Sequence, residues 1–263
     1  MWATAAHAGQ VEVILRDAER FYPSQFSEAM RRIMPLGAAA LPELLELAAQ
    51  TEDQHRLFAI CEAVQRLDIA DASIADALTP KLRHPKWVVR STCGSAIADT
   101  LPQGADNRII VDLAMSDPEC SVRMNIAMAL DVNPPCAAWL PMAWSEDRCN
   151  AVAGTYGIAH CPGGDSALLG LARGAPVAQA REAALSAARE LPPNPEGLET
   201  YRAVVDAAKR DNALAFAAEL LGRVGDASDL PRLQNLVDTD PFGGRGVHAN
   251  RAREAMAAIR GRQ

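Results

Sequence analysis

One seven-residue pattern is written twice in this chain. His84-Pro85-Lys86-Trp87-Val88-Val89-Arg90 and Asp117-Pro118-Glu119-Cys120-Ser121-Val122-Arg123 each follow one apolar stretch and open another, and their arginines stand 33 residues apart. A period of that length marks stacked helical hairpins, in which each unit buries its apolar face only against its neighbours. The pattern therefore predicts a scaffold with a long accessible face, and scaffold alone does not specify function.

Read outward from the two copies, the same grammar yields seven hairpins. The first pairs 41–47 with a helix from about Gln54, in which Ile60, Val64 and Leu67 recur at three- and four-residue steps as one helical face requires. The next pair 74–82 with 87–101, 108–115 with 121–130, 137–143 with 148–160, 166–172 with 177–191, 197–208 with 211–224, and 229–237 with 248–260. Anchors at the matching place, Arg56, Arg90, Arg123, Asn150, Arg181, Asn212 and Arg251, are 34, 33, 27, 31, 31 and 39 residues apart. The long last step holds Thr239 to Gly246, whose glycines favour neither helix and predict a protruding loop.

Residues 1–37 do not follow the grammar. Val11, Ile14, Leu15, Ala18 and Phe21 form one apolar face and Phe26, Met30 and Ile33 a second, with Trp2 and Tyr22 adding aromatic weight. Terminal repeats are atypical because they close the core against water, so 1–37 is expected to cap a single continuous array over 38–263.

Composition agrees with an all-α chain: 49% of residues are hydrophobic but only 5% aromatic, so the apolar content is chiefly Ala, Leu and Val, suited to close helix packing. The net charge of −7 disfavours nucleic acid as a partner, since phosphate neutralisation needs many Lys and Arg contacts. The first residues lack a basic segment followed by an apolar core, and no later run is long and apolar enough for a membrane. A cytoplasmic protein is the expectation. Cys61, Cys93, Cys120, Cys136, Cys149 and Cys161 are scattered singly, without a C-x-x-C, and are read as reduced, buried small apolar residues.

Asp117-Pro118 with Val122-Arg123, followed by Ala127 and Ala129-Leu130, resembles the HEAT-like repeats first recognised in phycobilin lyases, as do 220–226 and 252–259. The resemblance covers about residues 38–260. It implies an α-solenoid of about seven HEAT-like helical hairpins forming a curved right-handed superhelix. The residue types make sense physically: Asp117 can cap the second helix while Pro118 takes the first helical position, where its missing N–H has no intrahelical partner. Val122 points inward and the alanines admit a neighbouring helix. Arg90 and Arg123 sit where the helix dipole offers a cation nothing; the resemblance implies an acidic partner from the arginine's own or the neighbouring turn, and Asp117 is a candidate.

No catalytic motif, metal set or cofactor fingerprint is present: glycine-rich 243–246 lacks the flanking strand and Lys-Ser/Thr of a phosphate loop, and the five histidines fall in different hairpins. No catalytic residue, metal or cofactor is assigned. The expected function is a non-enzymatic scaffold or adaptor for a protein or peptide partner, basic if charge steers the encounter. Gln65, Asn125, Arg189 and Arg223, on second helices outside the apolar stripe, are the candidates for its groove. The irregular fourth hairpin adds Trp139, Trp144, Asp147 and Arg148. This stretch is similar to a helix in HEAT-like alkylpurine DNA glycosylases, where Trp144 would stack on an extruded base, Asp147 stabilise its charge and Arg148 hold phosphate. The acidic chain and the lone arginine put that reading, and DNA binding generally, second; packing is the simpler account of the two tryptophans. An accessory lyase or chaperone subunit is the remaining alternative.

Overall fold

The computed structural model describes residues 9–17, 23–130, 134–207 and 211–262. All regular structure among them is helical, and the chain forms two compact units, Met1–Pro135 and Cys136–Gln263.

The first unit opens with α1 (Gln10–Asp17) and α2 (Pro23–Ile33). Val11, Ile14, Leu15, Met30 and Ile33 are buried, and the Phe26 ring lies 5.4 Å from that of Phe58. Trp2, Ala18, Phe21 and Tyr22, the rest of the expected apolar faces, lie outside the described residues. Three hairpins follow: α3 (Leu41–Gln50) with α4 (Gln54–Leu67), α5 (Ala72–Leu78) with α6 (Trp87–Thr100), and α7 (Arg108–Ser116) with α8 (Cys120–Ala129). A 3₁₀ turn, Thr79–Arg83, extends α5. The second helices α4, α6 and α8 pack against one another in succession. Leu57, Ile60, Val64, Val89, Ile97, Val122 and Ile126 are sealed between them and the first helices, which is the stripe that the three- and four-residue spacing requires.

The second unit holds four hairpins: α9 (Cys136–Ala143) with α10 (Arg148–Ile158), α11 (Gly164–Gly174) with α12 (Ala178–Glu190), α13 (Leu198–Asp206) with α14 (Asn212–Val224), and α15 (Leu230–Asp238) with α16 (Val247–Arg260). Here too the second helices α10, α12, α14 and α16 pack in sequence. The seven hairpins follow the order and spacing that the sequence implies. At 239–246 the chain makes a tight excursion whose base is held by the Asp240 carboxylate accepting the Gly246 N–H at 3.0 Å and by Arg253 donating to the Gly244 carbonyl. Phe242, at its tip, is 71% exposed.

Among the described α-helices, α4, α5, α10 and α14 start under an aspartate cap. Asp53 accepts the N–H groups of His55 and Arg56, Asp71 that of Ser73, Asp147 that of Asn150 and Asp211 that of Leu214, each satisfying an otherwise orphaned donor. The doubled pattern works differently from the expectation. Helix α8 begins at Cys120, so Pro118 lies in the turn rather than at the first helical position. Asp117 accepts the N–H of Glu119, just ahead of the helix, and His84 does the same for Lys86 through Nδ1, in the tautomer that leaves Nε2–H to donate to the Glu52 carbonyl. Position 84/117 thus closes the turn rather than capping the helix.

The arginine of the pattern completes that turn. Arg90 donates through Nη1 to the His84 carbonyl at 2.9 Å, and Arg181 donates to the carbonyl of Ala175, likewise six residues back. Arg90 also reaches the next hairpin, meeting Asp117 through Nε and Nη2; the expected partnership is present.

The cysteine expectation is overturned. Cys61 of α4 is bonded to Cys93 of α6, with Cα atoms 4.9 Å apart, and Cys136 at the start of α9 to Cys161 just beyond α10, 5.7 Å apart; no described cysteine is a free thiol. A search for local spacings misses such pairs because the fold, not the chain, makes them neighbours. Cys61 and Cys93 are 32 residues apart, about one repeat, and consecutive second helices bring equivalent positions into contact.

Candidate groove on the second helices of the first unit

Three consecutive second helices expose one face each, and in the first unit these faces enclose an open groove of about 440 Å³. Its walls come from α4 (Phe58, Glu62, Gln65), α6 (Ser91, Thr92, Ser95, Asp99) and α8 (Asn125, Met128, Ala129). Small side chains at Ser91, Ser95 and Ala129 leave the centre open. Larger ones stand at the two sides: Phe58, backed by Phe26, on α4, and Met128, 47% exposed, on α8.

The floor is a pair of polar rungs spanning neighbouring hairpins. Gln65 Nε2 donates to Asp99 Oδ2, and Asn125 Nδ2 donates to Ser91 Oγ at 2.9 Å; in both the partners are 34 residues apart. Gln65 and Asp99 follow Arg56 and Arg90 by the same number of residues, so the first rung joins equivalent positions of consecutive repeats. Thr92 is turned onto its own helix, donating to the Val88 carbonyl at 2.9 Å. The charged lining residues are Glu62 and Asp99, with neither Lys nor Arg among them. Glu62 accepts from Arg66 at 2.9 and 2.7 Å, and Arg66 lies over the Phe26 ring, 5.7 Å from its centroid. The mouth is thus polar, mildly acidic and flanked by apolar side chains, a composition suited to main-chain hydrogen bonding with side-chain anchors.

Of the eight residues nominated from sequence, Gln65 and Asn125 come together in this groove. Arg189 and Arg223 belong to the second unit. Arg189 lies over the Phe216 ring at 4.9 Å and pairs with Glu219 at 3.0 Å. Arg223 donates to the carbonyls of Arg189 and Leu191 at 2.7 and 2.6 Å, closing the C-terminal end of α12. Arg262 repeats the arrangement one hairpin on, donating to Gly222 and Gly225 at the end of α14.

The fourth hairpin divides its four nominated residues between interior and surface. Trp139 is fully buried, its indole pressed on Gly157, where a Cβ would come within 2.5 Å of the ring. Trp144 is 44% exposed and lies over Gly174, Asp147 caps α10 through the Asn150 N–H at 2.8 Å, and Arg148 is exposed at the first position of that helix. Trp139 has no access to a ligand from this position.

Sequence reasoning missed Phe58, Glu62, Ser91, Thr92, Ser95 and Asp99. A usable signal existed: Asp99 holds the repeat position of Gln65, so nominating one should have nominated the other. Among the described residues no group of three His, Cys, Asp or Glu side chains is placed to hold a metal ion, and no described helix is long and apolar enough to cross a membrane.

No family model matches the chain, and no curated protein matches it. Among solved structures it is similar to human deoxyhypusine hydroxylase in complex with glycerol, at 14% identity over 97% of this chain and 98% of that one, with a TM-score of 0.40. A likeness that distant carries no argument about activity; what stands on the chain's own geometry is an all-α protein of stacked helical hairpins with a polar groove across α4, α6 and α8.

Proposed function

We propose that the protein is a non-enzymatic interaction module of the HEAT-like kind, which receives an extended, basic segment of a protein partner in the groove of its first unit. The observation that carries this reading is the row of Gln65, Asp99, Ser91 and Asn125 across three helices, flanked by Phe58 and Met128. Amide and hydroxyl groups carried on three successive helices offer donors and acceptors to an extended main chain, and apolar side chains at both sides supply anchors. Glu62 is paired to Arg66, and Asp99, in a lining with neither Lys nor Arg, favours positive charge, in keeping with the net charge of −7. The disulfides Cys61–Cys93 and Cys136–Cys161 favour work in an oxidising compartment over the cytoplasm.

A selection from a displayed random-peptide library, followed by anisotropy titration of the enriched peptides, tests the proposal. Enriched peptides should carry Lys or Arg and should lose binding to Thr92→Trp, which fills the groove, and to Met128→Lys, which replaces an apolar anchor with a positive charge, both variants remaining helical by circular dichroism. Failure to enrich any peptide, or binding indifferent to both substitutions, overturns it.

A further inference from the structure

The second unit holds a separate cavity of about 320 Å³ between the hairpins α11–α12 and α13–α14. Much of its lining is aliphatic, with Ala172 of α11, Leu185 of α12 and Ala203 and Val204 of α13. Two guanidinium groups share this lining, Arg173 at the end of α11 and Arg181 early in α12. Each is aimed by one neutral acceptor. Arg173 Nε donates to Oγ1 of Thr200 at 2.6 Å, a hydroxyl on a residue only 2% exposed, and Arg181 Nη1 donates to the Ala175 carbonyl.

Among the described residues Arg223 and Arg262 also meet only neutral acceptors, backbone carbonyls, but Arg173, exposed at the rim, and the half-buried Arg181 border one and the same cavity. Arg90, Arg189, Arg202 and Arg232 each meet a carboxylate within 3.0 Å. Arg173 and Arg181 meet none among the described residues, although the chain carries 33 acidic side chains against 26 basic ones. The one carboxylate in the lining, Asp211, accepts the Leu214 N–H as the cap of α14. Two cations and one anion therefore border a largely apolar space, with guanidinium N–H groups still able to donate.

We propose that this cavity binds a small aliphatic carboxylate. The carboxylate accepts the remaining N–H groups of Arg173 and Arg181 in the planar geometry guanidinium favours, and a branched hydrocarbon body covers Leu185, Ala203 and Val204. Inorganic phosphate fits the arginines but leaves the aliphatic lining bare, whereas a neutral hydrocarbon fits the lining and leaves the arginines unmet. Asp211 gives the same cavity an acceptor for an ammonium group, so free acids and α-amino acids are two sources of one recognised chemistry.

Calorimetric titration with isovalerate, leucine and 3-methylbutanol separates these chemistries on a shared isobutyl group. At least one of the two acids should bind saturably at one site per chain, with the alcohol weaker by about tenfold or more, the scale of a charge-assisted hydrogen bond. Leucine binding tighter than isovalerate assigns Asp211 to an ammonium group; the reverse order assigns the cavity to simple acids, and either supports the site. Arg173→Gln and Arg181→Gln, confirmed as folded by circular dichroism, should each weaken the acid by about tenfold. Absence of saturable binding by both acids in the millimolar range, equal binding of the alcohol, or wild-type affinity in both variants overturns the proposal. Groove peptides leave this result untouched, because the cavity and the groove lie in different units.

Discussion

Arg90 and Asp117 meet along two parallel hydrogen bonds, Nε to Oδ2 at 2.7 Å and Nη2 to Oδ1 at 2.9 Å, joining the second hairpin to the turn of the third. Burial alone would raise the Asp117 pKa. The bonds from Arg90 and the Glu119 N–H, with the charges of Arg90 and Arg123, outweigh it and hold the carboxyl below its ordinary value. A carboxyl depressed in the folded state stabilises fully above its unfolded pKa, about 4, and that contribution fades as pH falls through the lowered folded value. Asp117→Asn should therefore cost about 3 kcal/mol at neutral pH, since it leaves a nearly buried guanidinium without its counter-charge. The gap to wild type should narrow below about pH 4. Urea unfolding of both proteins at neutral and acid pH measures this, and a gap that stays constant speaks against the pair.

Gly157 should tolerate no side chain. Its Cβ would stand 2.5 Å from the Trp139 ring, so Gly157→Ala is expected to lose about 1–3 kcal/mol by overpacking. Trp139 Nε1 has no hydrogen-bond partner, so Trp139→Phe gives up volume but no bond. Combining the two changes should cost less than their sum, a coupling that a double-mutant cycle by chemical denaturation detects.

The Cys61–Cys93 bond ties consecutive second helices and closes a long loop in the unfolded chain. Replacing both residues by Ala should lower stability by about 3 kcal/mol. Peptide mapping without reductant should recover the two cysteines in one linked fragment, and recovery of both as free thiols would remove the staple from the account.

Arg223→Ala should remove two bonds to carbonyls at the end of α12 and cost about 1–2 kcal/mol. Any peptide held by the groove of the first unit should bind this variant unchanged. Thermal unfolding and anisotropy together check both halves, and lost peptide affinity with unchanged stability would return Arg223 to a recognition role.

The hairpin order was legible because Arg56, Arg90, Arg123 and their counterparts mark a period that only stacked units can use. The helix dipole said only that Arg90 needs a partner elsewhere; Asp117 as that partner was implied by the resemblance to HEAT-like repeats. What escaped depended on contacts between repeats. Cys61 finds Cys93, Gln65 finds Asp99 and Arg173 finds Thr200 about one period away, and a reading made along the chain pairs residues with their sequence neighbours instead. For Trp139 the sequence carried two readings, packing as the simpler one and a base-binding cluster with Trp144, Asp147 and Arg148 as the other; its buried indole against Gly157 is packing, a partner that spacing along the chain does not name.

The rungs on the floor of the first groove carry a consequence for selectivity. Gln65 with Asp99, and Asn125 with Ser91, already bond one another across the repeats, each rung using one of the several donors and acceptors its side chains carry. In the proposed role, a segment that bonds the remaining groups adds to the rungs, while one that displaces a rung partner without replacing it strands a donor or acceptor at about 1–3 kcal/mol apiece. Attachment strength then comes from Phe58 and Met128, whereas the rungs veto misfits. In the proposed role such a surface would reject wrong sequences more sharply than it grips right ones, the behaviour of a reader rather than a clamp.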